Sequence, residues 1–333
     1  MLVLRPSSIR PPPPPSMTSP APKTRSNPLR YRTIPMLFGG VTLFILSGYC
    51  TYLYVNLSRP VDHPVPIEAS SQSDVSKRYD AIANTFDSSV DWTEKLMGIT
   101  RLRKKLAKEA KGDVLEVSMG TGRNLKFYDF EFKNGKAEGR VKSFTAIDKS
   151  PEMLEIAHEK FTALYPGILG VRWVIGHTAE EGIIPPPPKN VNERSRNKVG
   201  EKYDTVVQTM GLCSVGDPVA LLKCLGNVVK EEEGRILLLE HGRGRWQWLN
   251  GILDKFAEGH AKEFGCWWNR DLSKVVSESG LQLVTLDTWH GGTTYWIELK
   301  KPKFEPAKVE VKAIQANQIG TSEPKAVGKK GWW

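Results

Sequence analysis

The first sixty residues contain no aspartate or glutamate, so seven basic side chains (Arg5, Arg10, Lys23, Arg25, Arg30, Arg32 and Arg59) stand there unopposed. Such an acid-free, Arg-, Pro- and Ser-rich leader has the composition of a mitochondrial targeting segment, although the five prolines after Arg10 exclude a long amphipathic helix across them. Cysteine is also scarce. Among 333 residues there are four, and Cys50, Cys213, Cys224 and Cys266 show neither a CxxC pair nor a Cys/His spacing. Neither a zinc motif nor a disulfide framework is legible, and no metal is expected. The net charge of +10 would raise nucleic acid as a partner, but the surplus sits at the two ends: from Lys301 onward seven lysines face three glutamates, and residues 61–300 are close to neutral. No nucleic acid is expected on the folded part.

One long run lacks charge altogether. Met36 to Leu57 is apolar enough and, as a helix rising about 1.5 Å per residue, long enough to cross the roughly 30 Å hydrocarbon layer. Tyr49, Tyr52 and Tyr54 cluster near one end, as interfacial aromatics do. Basic residues before the run outnumber Arg59, Lys77 and Arg78 after it. In the mitochondrial inner membrane this bias sets the N-terminus in the matrix and the rest in the intermembrane space. The expected organisation is a targeting segment (1–35), a single transmembrane helix (36–57), a linker (58–72), a folded domain (73–300) and a disordered basic tail (301–333).

Within SKRYDAIANTFDSSV, Tyr79, Ile82, Ala83 and Phe86 fall on one helical face. A second helix is expected over WTEKLMGITRLRKKLAKEAK, closed by Gly112. Its basic residues Arg101, Arg103, Lys104, Lys105, Lys108 and Lys111 read as a solvated face or as a contact for lipid headgroups. Then VLEVS, FTAID, VRWVI, YDTVVQT and RILLLEH follow as short apolar runs, with helices expected after the first, second, fourth and fifth. That order implies parallel strands buried on both faces, joined by right-handed crossovers. LQLVTLD and TTYWIEL around WHGG make a terminal hairpin. Polar insertions interrupt the series at EFKNGKAEGR and PPPPKNVNERSRNKVG.

The first strand runs into Gly120-Thr-Gly122-Arg-Asn-Leu125, where a dinucleotide fingerprint would need a third glycine in place of Leu125. Two glycines still let a ligand approach the backbone, and Glu116, at the strand end, suits a cationic ligand better than a pyrophosphate. S-adenosylmethionine, an ammonium and a sulfonium without phosphate, meets that description. VLEVSMGTGRNLKFY, AIDKSPEMLEIAHEK, YDTVVQTMGLCSVGDP and GRILLLEHGRG resemble, in order, the motifs of class I methyltransferases of the UbiE and type 11 kind. The likeness covers about residues 77–300; the lead-in helix and the apolar anchor resemble the fungal Oms-type mitochondrial methyltransferase-like proteins, and LCSVGDP and LEHGRG the membrane-associated thiol methyltransferases of animals.

The resemblance implies an α/β, Rossmann-like class I methyltransferase fold: a seven-stranded, mostly parallel sheet with a C-terminal β-hairpin, preceded by one transmembrane helix. It implies that Glu116, Ser118, Gly120, Thr121, Gly122 and Thr209 hold the amino-acid end of S-adenosylmethionine, that Asp148 takes the ribose hydroxyls, and that Lys149 and Met153 flank the adenine. For the adenine amino group His177, Thr178 and Glu180 stay open. Glu116 and Asp148 also read as ordinary strand-end carboxylates, and Met153 as core. Candidates for a catalytic base are Cys213, Ser214, His241 and His290, with Tyr79 as a lid over the pocket. Trp246, Trp248, Trp267 and Trp268 read as walls for a small-molecule or lipid-like methyl acceptor (quinone-like or thiol), as helix packing, or as a seat on the bilayer. Rival readings are a catalytically silent cofactor-binding domain that assists assembly of membrane complexes and, less favoured for want of an NPPY-type motif, methylation of RNA or protein.

Overall fold

The structure is a computed structural model and describes residues 28–58, 75–130, 132–133, 136–137, 140–168, 171–180, 182–188 and 201–303. The targeting segment through residue 27, the linker 59–74, the charge-rich part of the second insertion (189–200) and the tail from residue 304, with Trp332 and Trp333, lie outside these. Two units are distinguished, 1–62 and 63–333.

The first unit contains one helix, α1 (Pro28–Ser58). Its stretch Thr33–Asn56 is long and apolar enough to cross a membrane, and none of it is buried within the protein.

The second unit opens with α2 (Ser76–Leu96) and α3 (Ile99–Glu109). The break falls later than the sequence predicts: WTEKL completes α2, and Gly98, at φ 70°, turns the chain between the helices. Gly112 does not cap α3 but begins the first strand with φ 73°, where a Cβ would stand 2.3 Å from the Asp204 carboxylate. Apart from a two-stranded hairpin in the first insertion (Phe132–Lys133 with Lys136–Ala137), seven strands follow: β1 (Gly112–Val117), β2 (Val141–Asp148), β3 (Val171–Ile175), β4 (Thr205–Thr209), β5 (Arg235–His241), β6 (Gln282–Trp289) and β7 (Thr294–Lys300). They form one sheet in the order β3-β2-β1-β4-β5-β7-β6, parallel except for β7, which runs antiparallel to both neighbours. This is the expected architecture, hairpin included.

Helices α4 (Pro151–Leu164) and α5 (Pro218–Val228) begin in the same way. A side chain, Ser150 or Asp217, accepts the N–H three residues on, and proline occupies the first helical position, where its missing N–H costs nothing. α6 (Gln247–Phe264) and α7 (Leu272–Glu278) lie between β5 and β6. Among the described residues no α-helix stands between β1 and β2, where the sequence predicts one. The GTGRN turn leads only into one 3₁₀ turn, Leu125–Phe127, because Asn124 and Tyr128 turn inward to the buried Glu116.

Each face of the sheet is covered. On one, Leu106, Phe144, Phe161 and Trp296 share a core with Tyr128 and Phe130, whose rings meet edge-to-face at 5.6 Å. On the other, Leu221, Leu222 and Leu225 of α5 and Val275 and Val276 of α7 pack against Val206, Ile236 and Leu238. Burial of such side chains at about 1.5–3 kcal/mol each is the main term holding the strands in register. The register brings the C-terminal ends of β1, β2 and β4 together at one edge.

Candidate functional site

A cleft of about 290 Å³ opens at that edge. Its floor is main chain. Ser118 and Met210 end β1 and β4 with positive φ (51° and 54°), a conformation that non-glycine residues adopt at a cost. Gly211 fits against Ser118 because a Cβ there would stand 2.7 Å from the Ser118 Cβ. Gly120 (φ 56°) has nothing within 4 Å of where a Cβ would stand, so its turn faces open space. Gly122 (φ 74°) faces inward: a Cβ would approach Leu125 Cδ1 to 2.6 Å and Ala157 Cβ to 3.0 Å. One glycine gives access and the other closes the packing beneath it.

Asp148 stands beside this turn. Its carboxylate accepts the N–H groups of Gly120 (2.7 Å) and Ser150 (2.9 Å), and burial pushes its pKa up. Ser118, Gly120, Thr121, Lys149, Met153 and Thr209 also line the cleft, so the structure brings together seven of the nine expected binding residues. Glu116 and Gly122 are the other two. Glu116 lies below the floor, where its oxygens accept Asn124 Nδ2–H and Tyr128 O–H, each at 2.7 Å. Burial raises its carboxyl to about 7. Of the three open candidates after β3, His177 and Thr178 line the cleft, Glu180 does not, and the buried Nδ1 of His177 has no hydrogen-bond partner among the described residues.

α2 covers the turn. Arg123 reaches Asp87 (2.9 Å), Asp91 (2.7 Å) and Glu94 (2.9 Å). Thr121 Oγ1 donates to Asp87, and Lys160 pairs with the same carboxylate. Arg103 corrects the reading of the basic run as a uniformly exposed face. It is buried, ion-paired with Glu94 at 2.9 Å, and donates to Thr209 Oγ1 (2.6 Å) and Asn124 Oδ1 (3.2 Å) at the cleft wall. The sequence signal was its phase, since Arg103 shares the inward face of α3 with Ile99, Leu106 and Ala107. Arg123 carried no comparable signal.

Tyr79, at the start of α2, meets Ser214 (O···O 2.5 Å) across the cleft, and burial followed by the neighbouring Cys213 holds its phenol well above the ordinary value. The expected catalytic candidates divide. Ser214 lines the cleft, whereas Cys213 is buried behind it, Sγ 3.5 Å from Ser214 Oγ. There the thiols of Cys213 and Cys266 and the ring of His241 converge, with reactive atoms all within 4.8 Å of one another. Hydrogen bonding from Cys266 and the positive His241 ring hold the Cys213 thiol well below its usual value. Separations of 28 and 25 residues hid this cluster from spacing rules. His290 caps the hairpin and bonds Thr294 (2.9 Å), away from the cleft.

None of the four tryptophans lines the cleft. Trp246 and Trp248 stack on each other and are exposed, at 52% and 64%, because they open α6 on its outer side. Trp268 stacks on His260 and donates to Leu253 O (3.0 Å), a packing role.

Residues 93–286 match a family model described as a methyltransferase domain, which covers more than half of the chain. The mitochondrial methyltransferase OMS1 of Saccharomyces cerevisiae is 41% identical over 234 residues, 68% of this chain and 46% of the yeast protein; the chain thus spans about half of that relative's length. Among solved structures, an O-methyltransferase family protein from Burkholderia thailandensis aligns with TM-score 0.47 and 13% identity over 66% of this chain and 60% of its own. A SAM-dependent methyltransferase from Aquifex aeolicus aligns with TM-score 0.43 and 16% identity over 66% and 97%. With its sheet order, glycine turn and matched span in agreement, the chain belongs to the methyltransferase domain family.

Proposed function

We propose that the domain binds S-adenosylmethionine in this cleft and transfers the methyl group to a small or lipophilic acceptor, quinone-like or thiol. The observation that carries this is the convergence, in one cleft, of the open face of Gly120, the Asp148 carboxylate and the unpartnered His177 Nδ1. Asp148 would take the ribose hydroxyls, its orientation set by two peptide N–H groups. His177 Nδ1 can accept the adenine amino group, with Met153 and Lys149 flanking the base. Arg103, already at the Thr209 end, supplies a cation for the carboxylate of the amino-acid moiety.

Bound there, the cofactor supplies a methyl group already activated on a sulfonium. The protein's part is to hold the acceptor in line and keep water out; such alignment supplies on the order of 7–11 kcal/mol when geometry is near ideal. Tyr79 and Ser214 close the far side of the cleft and are placed to orient a polar acceptor atom.

The same reading places α1 across the mitochondrial inner membrane with the domain in the intermembrane space. It is supported by the acid-free leader, the apolar run Thr33–Asn56 and the mitochondrial designation of the yeast relative. Protease should then reach the domain once the outer membrane is ruptured.

Calorimetric titration with S-adenosylmethionine tests the central reading. The full chain should bind, and Asp148→Ala should weaken binding by at least about tenfold, equivalent to 1.4 kcal/mol. A wild-type chain that takes up none overturns it. Among the described residues His177 is the only histidine lining the cleft, which favours as second reading a cofactor-binding domain without catalysis that assists membrane-complex assembly. Cellular complementation by a non-binding Asp148→Ala chain would support that reading against the enzyme.

A further inference from the structure

We propose that Cys213, His241 and Cys266 form a three-ligand site for a zinc-class divalent metal, buried at the acceptor end of the cleft. The residues come from three elements: the loop after β4, the end of β5 and the loop after α6. Two thiols and an imidazole are the ligand set of a tetrahedral zinc site that keeps one position open. Here the three donor atoms lie within 4.8 Å of one another, with His241 Nε2 and Cys266 Sγ 3.0 Å apart. Metal–sulfur and metal–nitrogen bonds of about 2.3 and 2.0 Å place tetrahedral donors about 3.5–3.8 Å apart. Side-chain rotation of about 1 Å therefore closes the site around an ion.

The surrounding main chain is already clamped in that arrangement. Trp267 N–H donates to Cys213 O (3.0 Å), tying the two cysteine loops together, and Arg270 bridges Cys213 O (3.4 Å) and Val215 O (2.5 Å). Glu240, the residue before His241, accepts the N–H groups of Gly211 (3.0 Å) and Leu212 (3.2 Å), which steadies the loop carrying Cys213. Binding would release two protons to solvent, because both cysteines ligate as thiolates and His241 as neutral imidazole, and the two thiolates would cancel the charge of a divalent ion, so that burial carries little net cost. Cys213 Sγ lies 3.5 Å from Ser214 Oγ, which in turn meets Tyr79 in the cleft. The fourth position therefore neighbours the place where an acceptor would sit, and that placement alone rests on the methyltransferase reading.

The test uses the full, reduced chain in detergent, purified with a tag free of histidine and cysteine. One zinc per chain should remain after desalting, by elemental mass spectrometry, and cobalt(II) added to the metal-stripped chain should give thiolate-to-cobalt charge-transfer absorption with tetrahedral d–d bands. Cys213→Ser and Cys266→Ser should each lower affinity by at least about 100-fold, the upper end of what loss of an outer-shell partner costs; Cys224→Ser should leave it unchanged. A reduced wild-type chain without zinc or a cobalt spectrum overturns the site, as do cysteine variants that bind like wild type. If those variants do not fold, the wild-type cobalt spectrum decides. Calorimetry with S-adenosylmethionine on the same samples separates failure of this site from failure of the cofactor reading.

Discussion

The floor of the cleft is made by main chain and its lid by side-chain charge. Gly120 and Gly122 hold left-handed turns and Asp148 accepts two peptide N–H groups, all within thirty residues of one another. α2, by contrast, is drawn onto that floor by Arg103 and Arg123, which between them meet Asp87, Asp91 and Glu94. The carboxylates of half-buried Glu94 and buried Glu116 respond in opposite directions. For Glu94 burial opposes the charge, but Arg103 and then Arg123 outweigh it and lower the pKa. For Glu116 burial wins and raises it to about 7. Acid therefore loosens the lid, and base strains the floor.

The largest effect should come from cutting the lid's buried ion pair. Arg103→Met leaves Glu94 with Arg123 alone and should cost about 3–5 kcal/mol, the range for removing one partner of a buried pair. Urea unfolding checks this, and cofactor affinity should fall with it. In the wild-type chain Glu94, its folded pKa depressed, contributes stability that is present above its unfolded value near 4.5 and lost as pH falls below it.

The floor should respond to pH the other way. Because the folded pKa of Glu116 exceeds the unfolded value, its protonated form favours the fold: that contribution is complete below about 4.5 and disappears as pH rises through about 7. Glu116→Gln should remove this slope, a difference on the order of 3 kcal/mol, read as unfolding midpoints between pH 4.5 and 8. An identical slope in the variant would mean the floor carries no such charge.

Gly122→Ala tests the floor's geometry and should cost about 2–4 kcal/mol, combining a left-handed alanine with a contact against Leu125 and Ala157. Gly120→Ala meets no atom within 4 Å, so it should be milder for stability and harsher for ligand binding. Smallest is Tyr79→Phe, which removes one lid hydrogen bond to Ser214 and about 1 kcal/mol. A Tyr79→Phe effect as large as that of Arg103→Met would break the comparison, because the lid would then depend on its tip and not on its charges.

Much of the floor was legible because its chemistry is local. VLEVSMGTGRN carries strand, turn and packing glycine in one stretch, and SerPro and AspPro mark the starts of α4 and α5 without reference to anything distant. Glu116 was legible as a strand-end acid but not in its role, since Asn124 and Tyr128 take its oxygens only because the turn after β1 folds back instead of entering a helix. The tryptophans misled in another way: aromatic residues between the last parallel strand and the hairpin satisfy a pocket and an outer surface equally well in one dimension, and Trp246 and Trp248 lie on the outer surface.

The sequence by itself determined the order of the seven sheet strands, the apolar span and the glycine turn, because each depends on neighbours a few residues apart. Only the tertiary structure decided that Arg103 faces inward to Thr209, that Arg123 gathers the carboxylates of α2, and that Cys213, His241 and Cys266 meet behind the cleft. Those contacts join residues far apart in the chain. Which basic group meets which acid, or which thiol meets which imidazole, follows from the registry of packed strands, a property that no single segment contains.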